Sequence, residues 1–189
     1  LLAILHHAGK SVGSHLEVSN FAREAGLSHQ TAKKYINVLI QAHLAFKLYG
    51  YQYGPAKRYI KAAKLYYGDS GIVTALGLNL STGQVLENFV ISELEKRRKL
   101  GFIKSDQFYY YKSTGGAEID LLFEEDDTLF VVEIKSTKQP SPKDIRNVSD
   151  FTKNFKDKKV RPYLLHLGEK YLEIEGVKCI PIYALYRAR

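Results

Sequence analysis

Asp120, Glu133 and Lys135 are the residues whose types and spacing point most directly to chemistry. They lie in residues 117–135, AEIDLLFEEDDTLFVVEIK. Residues 117–124 alternate apolar and polar side chains and 129–134 form an apolar run, so both read as β-strands around the polar turn EEDD. A turn symmetric about Asp126-Asp127 sets Asp120 opposite Glu133 and Glu118 opposite Lys135. Strand side chains repeat every second residue, so all four share one face. Facing carboxylates repel, and a divalent cation between them would offset that cost. Carboxylates holding Mg²⁺ or Mn²⁺ are what phosphodiester cleavage needs, because the ion activates water and steadies the leaving oxygen. A lysine beside it can orient or deprotonate the water, or offset charge on the phosphate. The bland alternative is an exposed hairpin with a Glu118–Lys135 salt bridge, worth about 0–1 kcal/mol.

The flanking elements give the hairpin its support. Residues 84–100 read as a helix with Leu86, Phe89, Val90 and Leu94 buried, and Glu93/Arg97 and Glu95/Lys99 paired on the wet face. Glu87 sits at the edge of that stripe, aimed inward at a site or outward to water; spacing alone favours water. Residues 108–112 read as a strand. Ser141-Pro142-Lys143-Asp144 opens a helix with an N-cap, a proline at the first position and an acid at the third. That helix runs to about Phe155, burying Ile145, Val148 and Phe155, and residues 162–167 and 177–184 are strands, with 171–174 another. Ile119, Leu121 and Phe123 on the far face of the hairpin would hold the acidic cluster rigidly. Helices alternating with strands imply an α/β domain, α+β for the chain as a whole, around a mixed sheet.

The first half has a different character. Residues 1–80 carry nine Lys/Arg against three Asp/Glu, whereas 81–189 carry nineteen against seventeen. Residues 1–8 read as a short helix. Val18, Phe21, Ala22 and Ala25 give one helical stripe, Gly26-Leu27 a break and Ser28 an N-cap. Ala32, Tyr35, Ile36, Leu39 and Ile40 then give a second stripe over 29–43, opposite Gln30, Lys33, Lys34 and Asn37. This is a helix-turn-helix whose second helix would offer those polar residues to DNA. A β-hairpin over 45–67, turning at Gly54-Pro55, reads as a wing with Lys57, Arg58 and Lys61 near its tip. Winged helices also serve as protein–protein modules, and the many tyrosines here also suit a packed interface. Asp69 caps a short helix, and the small, polar residues 77–83 divide the chain into 1–80 and 81–189.

Composition narrows the setting. Hydrophobic residues make up 45% and charged residues 25%, ordinary for a globular protein. The single cysteine, Cys179, excludes an internal disulfide and fits a reducing cytoplasm. No apolar run approaches the roughly 18 residues of a membrane span, and no signal peptide is expected. The start at Leu-Leu-Ala and the lack of methionine imply a segment of a longer protein.

The order of elements over residues 83–167, with Asp120, Glu133 and Lys135, resembles the PD-(D/E)xK nucleases and their restriction-endonuclease-like αβββαβ fold. The resemblance implies those three as the core site, with Asp120 and Glu133 on a divalent metal, and adds Glu87 from the first helix. Ile119 stands where a proline often does. The whole chain resembles the C-terminal region of predicted prokaryotic AAA+-type ATPases, a winged helix followed by a nuclease-like domain. The matching residues are KLYYGDSG from Lys64, GQVLENFV from Gly83, Tyr109–Tyr111, Glu118-Ile-Asp120 and Glu133-Ile-Lys135. It implies an ATP-binding domain upstream; no G-x-x-x-x-G-K-[ST] occurs here, so this segment is not expected to bind ATP itself. A metal-dependent nuclease with a DNA-binding winged helix, a non-catalytic arm of an ATPase, and a regulator using the winged helix alone all stay open.

Overall fold

The computed structural model of the chain describes residues 2–52, 63–113, 115–155 and 158–187. Two compact units divide it, Leu1–Glu93 and Leu94–Arg189. The division falls inside the helix α5 (Thr82–Lys99).

In the first unit, α1 (Leu2–Gly9), α2 (Val18–Glu24) and α3 (His29–Gln41) precede an antiparallel pair, β1 (Ala45–Gly50) and β2 (Lys64–Tyr67), and then α4 (Ser70–Ala75). The helix-turn-helix is set locally at both ends of its turn. Gly26 adopts φ +64° and the Leu27 N–H reaches back to the Ala22 carbonyl at 2.8 Å, the left-handed stop that glycine takes without strain. Ser28 Oγ then accepts the Thr31 N–H at 3.1 Å and starts α3. Asp69 caps α4 in the same way through the Gly71 N–H. Phe21, Ala22, Ala32, Ile36 and Leu39 pack with Val12, Leu65, Tyr67 and Val73 in one core. Tyr35 departs from the sequence expectation. It is 38% exposed, because it lies on the rim of the stripe that Ala32, Ile36 and Leu39 bury.

Pairing of β1 with β2 runs from Ala45↔Tyr67 to Leu48↔Lys64. The Gly54-Pro55 turn read from sequence lies outside the described residues. Lys57, Arg58 and Lys61 lie outside the described residues.

In the second unit β3 (Tyr109–Lys112), β4 (Glu118–Glu125), β5 (Thr128–Lys135), β6 (Lys159–His166), β8 (Val177–Pro181) and β7 (Leu172–Ile174) lie side by side in that order. The β3–β4–β5 ladders are antiparallel, β5–β6 and β6–β8 parallel, and β7 antiparallel on β8. The helix α6 (Pro142–Thr152) makes the crossover from β5 to β6, opened by the reciprocal Ser141/Asp144 cap. The chain is therefore α+β, with the element order αβββαβ running from α5 to β6.

Several boundaries differ from the sequence reading: β6 begins at Lys159 rather than at residue 162, and two others have a local cause. The last strand stops at Pro181 and residues Ile182–Tyr186 turn into a 3-10 helix; proline has no N–H to continue a ladder. The helix α6 ends at Thr152, so Phe155 lies beyond it and packs on Phe151 at 5.0 Å from a half-buried position. No helix among the described residues is long and apolar enough to cross a membrane.

Candidate functional site

The turn between β4 and β5 determines where the acidic residues fall. Asp126 and Asp127 both take positive φ, 47° and 58°, as a two-residue I′-type hairpin turn requires. The ladder runs from Glu125↔Thr128 to Leu121↔Val132, the symmetric register expected from the sequence. Phe123 and Phe130 stack at 4.7 Å on one face, where Ile119 and Leu121 are also buried. The pairing ends at Leu121↔Val132, and beyond it Asp120, on the other face, reaches β5 through its side chain, at Ile134.

These side chains are held as well as placed. Asp120 Oδ2 accepts the Ile134 N–H at 2.8 Å, so the carboxylate is fixed to the neighbouring strand. Glu133 is 2% exposed and its Oε1 lies 2.5 Å from Lys135 Nζ. Burial pulls the Lys135 pKa down, but Glu133, then Asp120 and Asp144, outweigh it and hold the amine above the ordinary lysine range. Lys135 therefore stays charged at neutral pH. Glu118 pairs with Lys112 of β3 at 3.5 Å, a partner that the hairpin alone could not reveal. The exposed-hairpin alternative is overturned, since Leu122, Val131 and Glu133 on that face are all buried.

His166, absent from the sequence-derived set, stands beside Lys135 in the parallel register of β5 and β6. It is fully buried, and its Nδ1 accepts the Gly168 N–H at 3.0 Å. An accepting Nδ1 puts the neutral ring's proton on Nε2. Burial pushes its pKa below the ordinary 6.5, with the Cys179 backbone pulling the other way. The native state therefore resists the proton that the unfolded chain accepts. Stability should fall as pH drops below 6.5 and flatten once the native ring titrates. Urea midpoints for the wild type and His166→Asn between about pH 4 and 8 check this; the variant should lose the acid-side slope that the ring supplies.

Gly168 packs under the loop that follows Lys135. A Cβ there would lie 2.2 Å from the Lys138 carbonyl oxygen and 2.8 Å from His166 Nδ1. Since the nearest atom is backbone, the loop must move to admit it. Gly168→Ala should cost about 1–3 kcal/mol by thermal or urea unfolding.

Glu87 belongs to the first unit. Its Oε1 accepts the Tyr66 hydroxyl at 2.6 Å and lies 3.4 Å from the Nζ of Lys64, itself 2% exposed. It is half-buried, turned neither wholly to water nor left without polar company. Next to it, Asn88 Oδ1 accepts the Tyr67 N–H at 2.8 Å, tying α5 to β2. On α3, Gln30, Lys33, Lys34 and Asn37 are all exposed, as the sequence implies. Lys47 of β1 joins them: burial first, then the charge of Lys33, lower its pKa. Lys57 and Arg58 fall outside the described residues.

Among the described residues no three His, Cys, Asp or Glu side chains gather as a metal ligand set. The pair Asp120 and Glu133 still fits Mg²⁺, which keeps several waters and takes one or two carboxylates. It does not fit a closed zinc site.

The fold and these residues define an α+β protein with a helix-turn-helix unit and a mixed-sheet unit bearing an acid–acid–lysine hairpin. The chain belongs to the family of the domain of unknown function DUF4143, which matches residues 82–185. A second domain of unknown function, DUF8612, matches residues 1–84. Two uncharacterized proteins, Rv2008c of Mycobacterium tuberculosis and Mb2031c of Mycobacterium bovis, are each 26% identical over 132 residues, 65% of this chain and 29% of theirs. The chain thus spans less than a third of the length of these curated relatives. The crystal structure of protein VC1899 from Vibrio cholerae aligns with TM-score 0.39 at 13% identity, over 97% of this chain and 49% of that one.

Proposed function

We propose that this chain is the C-terminal part of a longer cytoplasmic ATPase, joining a DNA-binding helix-turn-helix to a Mg²⁺- or Mn²⁺-dependent nuclease-like unit. The observation that carries the reading is that Asp120 accepts the Ile134 N–H at 2.8 Å and Glu133 lies 2.5 Å from Lys135, so both carboxylates and the lysine meet on the two strands of one hairpin. Asp120 and Glu133 would hold the ion, which when bound supplies Lewis-acid activation of water and of the phosphodiester. Lys135 is kept protonated by its acidic neighbours, so it serves best as a positive partner for the phosphate oxygen rather than as a base. The Ile134 N–H fixes one oxygen of Asp120 and so limits the carboxylate's rotation.

The basic half supports the nucleic-acid partner. Lys33 and Lys34 are exposed on α3, and Lys47 feels the charge of Lys33. Such like charges are relieved by a phosphate between them. Changing Lys33, Lys34, Lys57 and Arg58 to alanine should lower the slope of log Kd against log salt by roughly one unit per lost contact. Equal duplex binding by that variant would assign the helix-turn-helix to another partner.

A second reading, a non-catalytic arm of the ATPase with a vestigial nuclease fold, draws on Glu87. Its carboxylate is engaged by Tyr66 and Lys64 in the first unit. Incubating the chain with duplex and single-stranded DNA and RNA, with Mn²⁺, Mg²⁺ or chelator, separates the two. Chelator-sensitive cleavage supports the nuclease, and its absence across all substrates supports the arm.

A further inference from the structure

Leu100 and Phe102 are the most open large apolar side chains among the described residues, 72% and 77% exposed. They stand on either side of Gly101, which takes φ +80° and turns the chain out of α5, with the Phe102 N–H returning to the Arg97 carbonyl at 2.9 Å. Both side chains therefore rise from one tight turn. Cations lie on the helix side of this knuckle. Lys96 and Arg97 precede Leu100 by four and three residues, so they share its face of the helix. The Arg97 guanidinium lies 5.7 Å over the ring of Tyr186, itself 58% exposed, which adds a third open ring at that border. Lys99 is exposed and touches Glu95 only at 3.9 Å. Cations in a last turn complement the helix dipole, but that does not explain two large apolar side chains left open among them. Acids lie on the other side. The Lys104 N–H donates to Glu125 Oε1 at 2.6 Å and Phe108 packs on Phe123 at 5.1 Å, so the β4–β5 turn lies against residues 104–108. That turn carries Asp126 and Asp127, both exposed, and the adjoining segment adds exposed Asp106.

We infer that this face, with Leu100 and Phe102 at its centre, joins two copies of the chain about a two-fold axis. A field of one sign would suit an oppositely charged ligand. A face with cations on one side of an apolar knuckle and acids on the other is complementary to its own copy turned through half a revolution. Lys96 and Lys99 of each copy then meet Asp126 and Asp127 of the other, while the two knuckles pack together at the axis. Size sets the strength. Leu100, Phe102 and the Tyr186 edge offer roughly a few hundred Å² of apolar surface per copy, against about 800 Å² per partner in a standard stable interface. The dimer is therefore weak, with a dissociation constant on the order of 10–100 µM. Nothing in it depends on Asp120, Glu133 and Lys135 forming a phosphodiester site.

Sedimentation equilibrium of the whole 189-residue chain, over about 5–500 µM, tests the dimer. The wild type should pass from monomer to dimer across that range and go no further, since a two-fold contact closes on itself. Leu100→Ser/Phe102→Ser should weaken association by about tenfold or more, as loss of a central apolar anchor does. Phe102→Ser alone should move in the same direction and covers the case in which the double variant misfolds. Lys96→Ala/Lys99→Ala and Asp126→Asn/Asp127→Asn should each weaken the dimer by about three- to tenfold. Asparagine suits the positive φ of the turn, so the hairpin persists in the second of these. All four changes together should cost no more than either pair, because each pair removes the other's partner. A chain that stays monomeric at the top of the range overturns the inference. So does a dimer that survives Leu100→Ser/Phe102→Ser, which would place the contact elsewhere, and so do additive losses in the charge variants, which would mean that the two charged groups do not meet.

Discussion

Glu95→Ala is expected to destabilise the second unit by about 3 kcal/mol, the cost of leaving a partly buried charge without its partner. Glu95 is 7% exposed and grips Arg98 with both oxygens, Oε2 to Nε and Oε1 to Nη2, each at 2.7 Å. Arg98 passes the constraint on. Its Nη1 donates to the Ser105 and Asp106 carbonyls at 3.3 and 2.7 Å, and its guanidinium lies 5.6 Å from the Phe108 ring centroid. The ion pair therefore ties α5 to residues 105 and 106 of the connection to β3. The two carbonyls stay with Arg98 in the variant, which keeps the cost near the lower end for broken buried pairs. The Glu95 hydrogen bond raises the Arg98 pKa, and this outweighs burial, which lowers it; a raised basic pKa contributes stability below the unfolded value, so the effect is constant across ordinary pH. Urea unfolding measures it as a midpoint lower by about 1–2 M. Glu95→Gln, which keeps one acceptor, should lose less. Replacing both residues with apolar ones of similar volume should recover most of the loss.

Glu95 also marks a limit of reading from sequence. An i,i+4 pattern with Lys99 looks like a wet helix face, yet only a 3.9 Å contact joins them while Glu95 is buried. Burial at Leu86, Asn88, Val90, Ile91, Ser92, Leu94 and Glu95 leaves α5 no single polar stripe. Phe89, expected in the core, is only half-buried. Local periodicity assumes one buried face, and an enclosed helix violates that assumption. The hairpin was legible for the opposite reason. Its register depends on a two-residue turn and on alternation, both local, and Leu121↔Val132 follows from them. His166 was not legible, because its place beside Lys135 is fixed by the β5–β6 parallel pairing across an intervening helix. A histidine closing an apolar strand carries no local mark of its neighbour. The Glu87–Tyr66–Lys64 set was hidden likewise, since it needs β2 and α5 together, 21 and 23 residues apart. Caps were readable wherever the side chain bonds within its own turn, as at Ser28 and Asp69.

Lys135→Ala and Asp120→Asn should part along the line between holding an ion and handling a phosphate. Lys135→Ala strips the partner from a carboxylate that is 2% exposed. The lysine itself is 39% exposed, so solvent screens the pair, and the stability loss should stay at about 1–2 kcal/mol. Because its native pKa is raised, this contribution is present below 10.5 and fades as pH climbs through the native value. The wild-type and variant melting curves should therefore converge in strong alkali. Mn²⁺ should still raise the Tm of Lys135→Ala by mass action, since Asp120 and Glu133 persist. Cleavage should fall by about 10²-fold or more with the loss of a positive group at the phosphate. Asp120→Asn keeps an oxygen for the Ile134 N–H, so the hairpin register should survive. It removes one of two charges on the ion, and the Mn²⁺-dependent rise in Tm should vanish together with cleavage. The pair of outcomes separates an active site from a structural ion pair. If millimolar Mn²⁺ gives no heat of binding and Asp120→Asn leaves stability and DNA behaviour untouched, the hairpin holds its acids only as partners of Lys135. The binding-arm reading then stands in place of the nuclease.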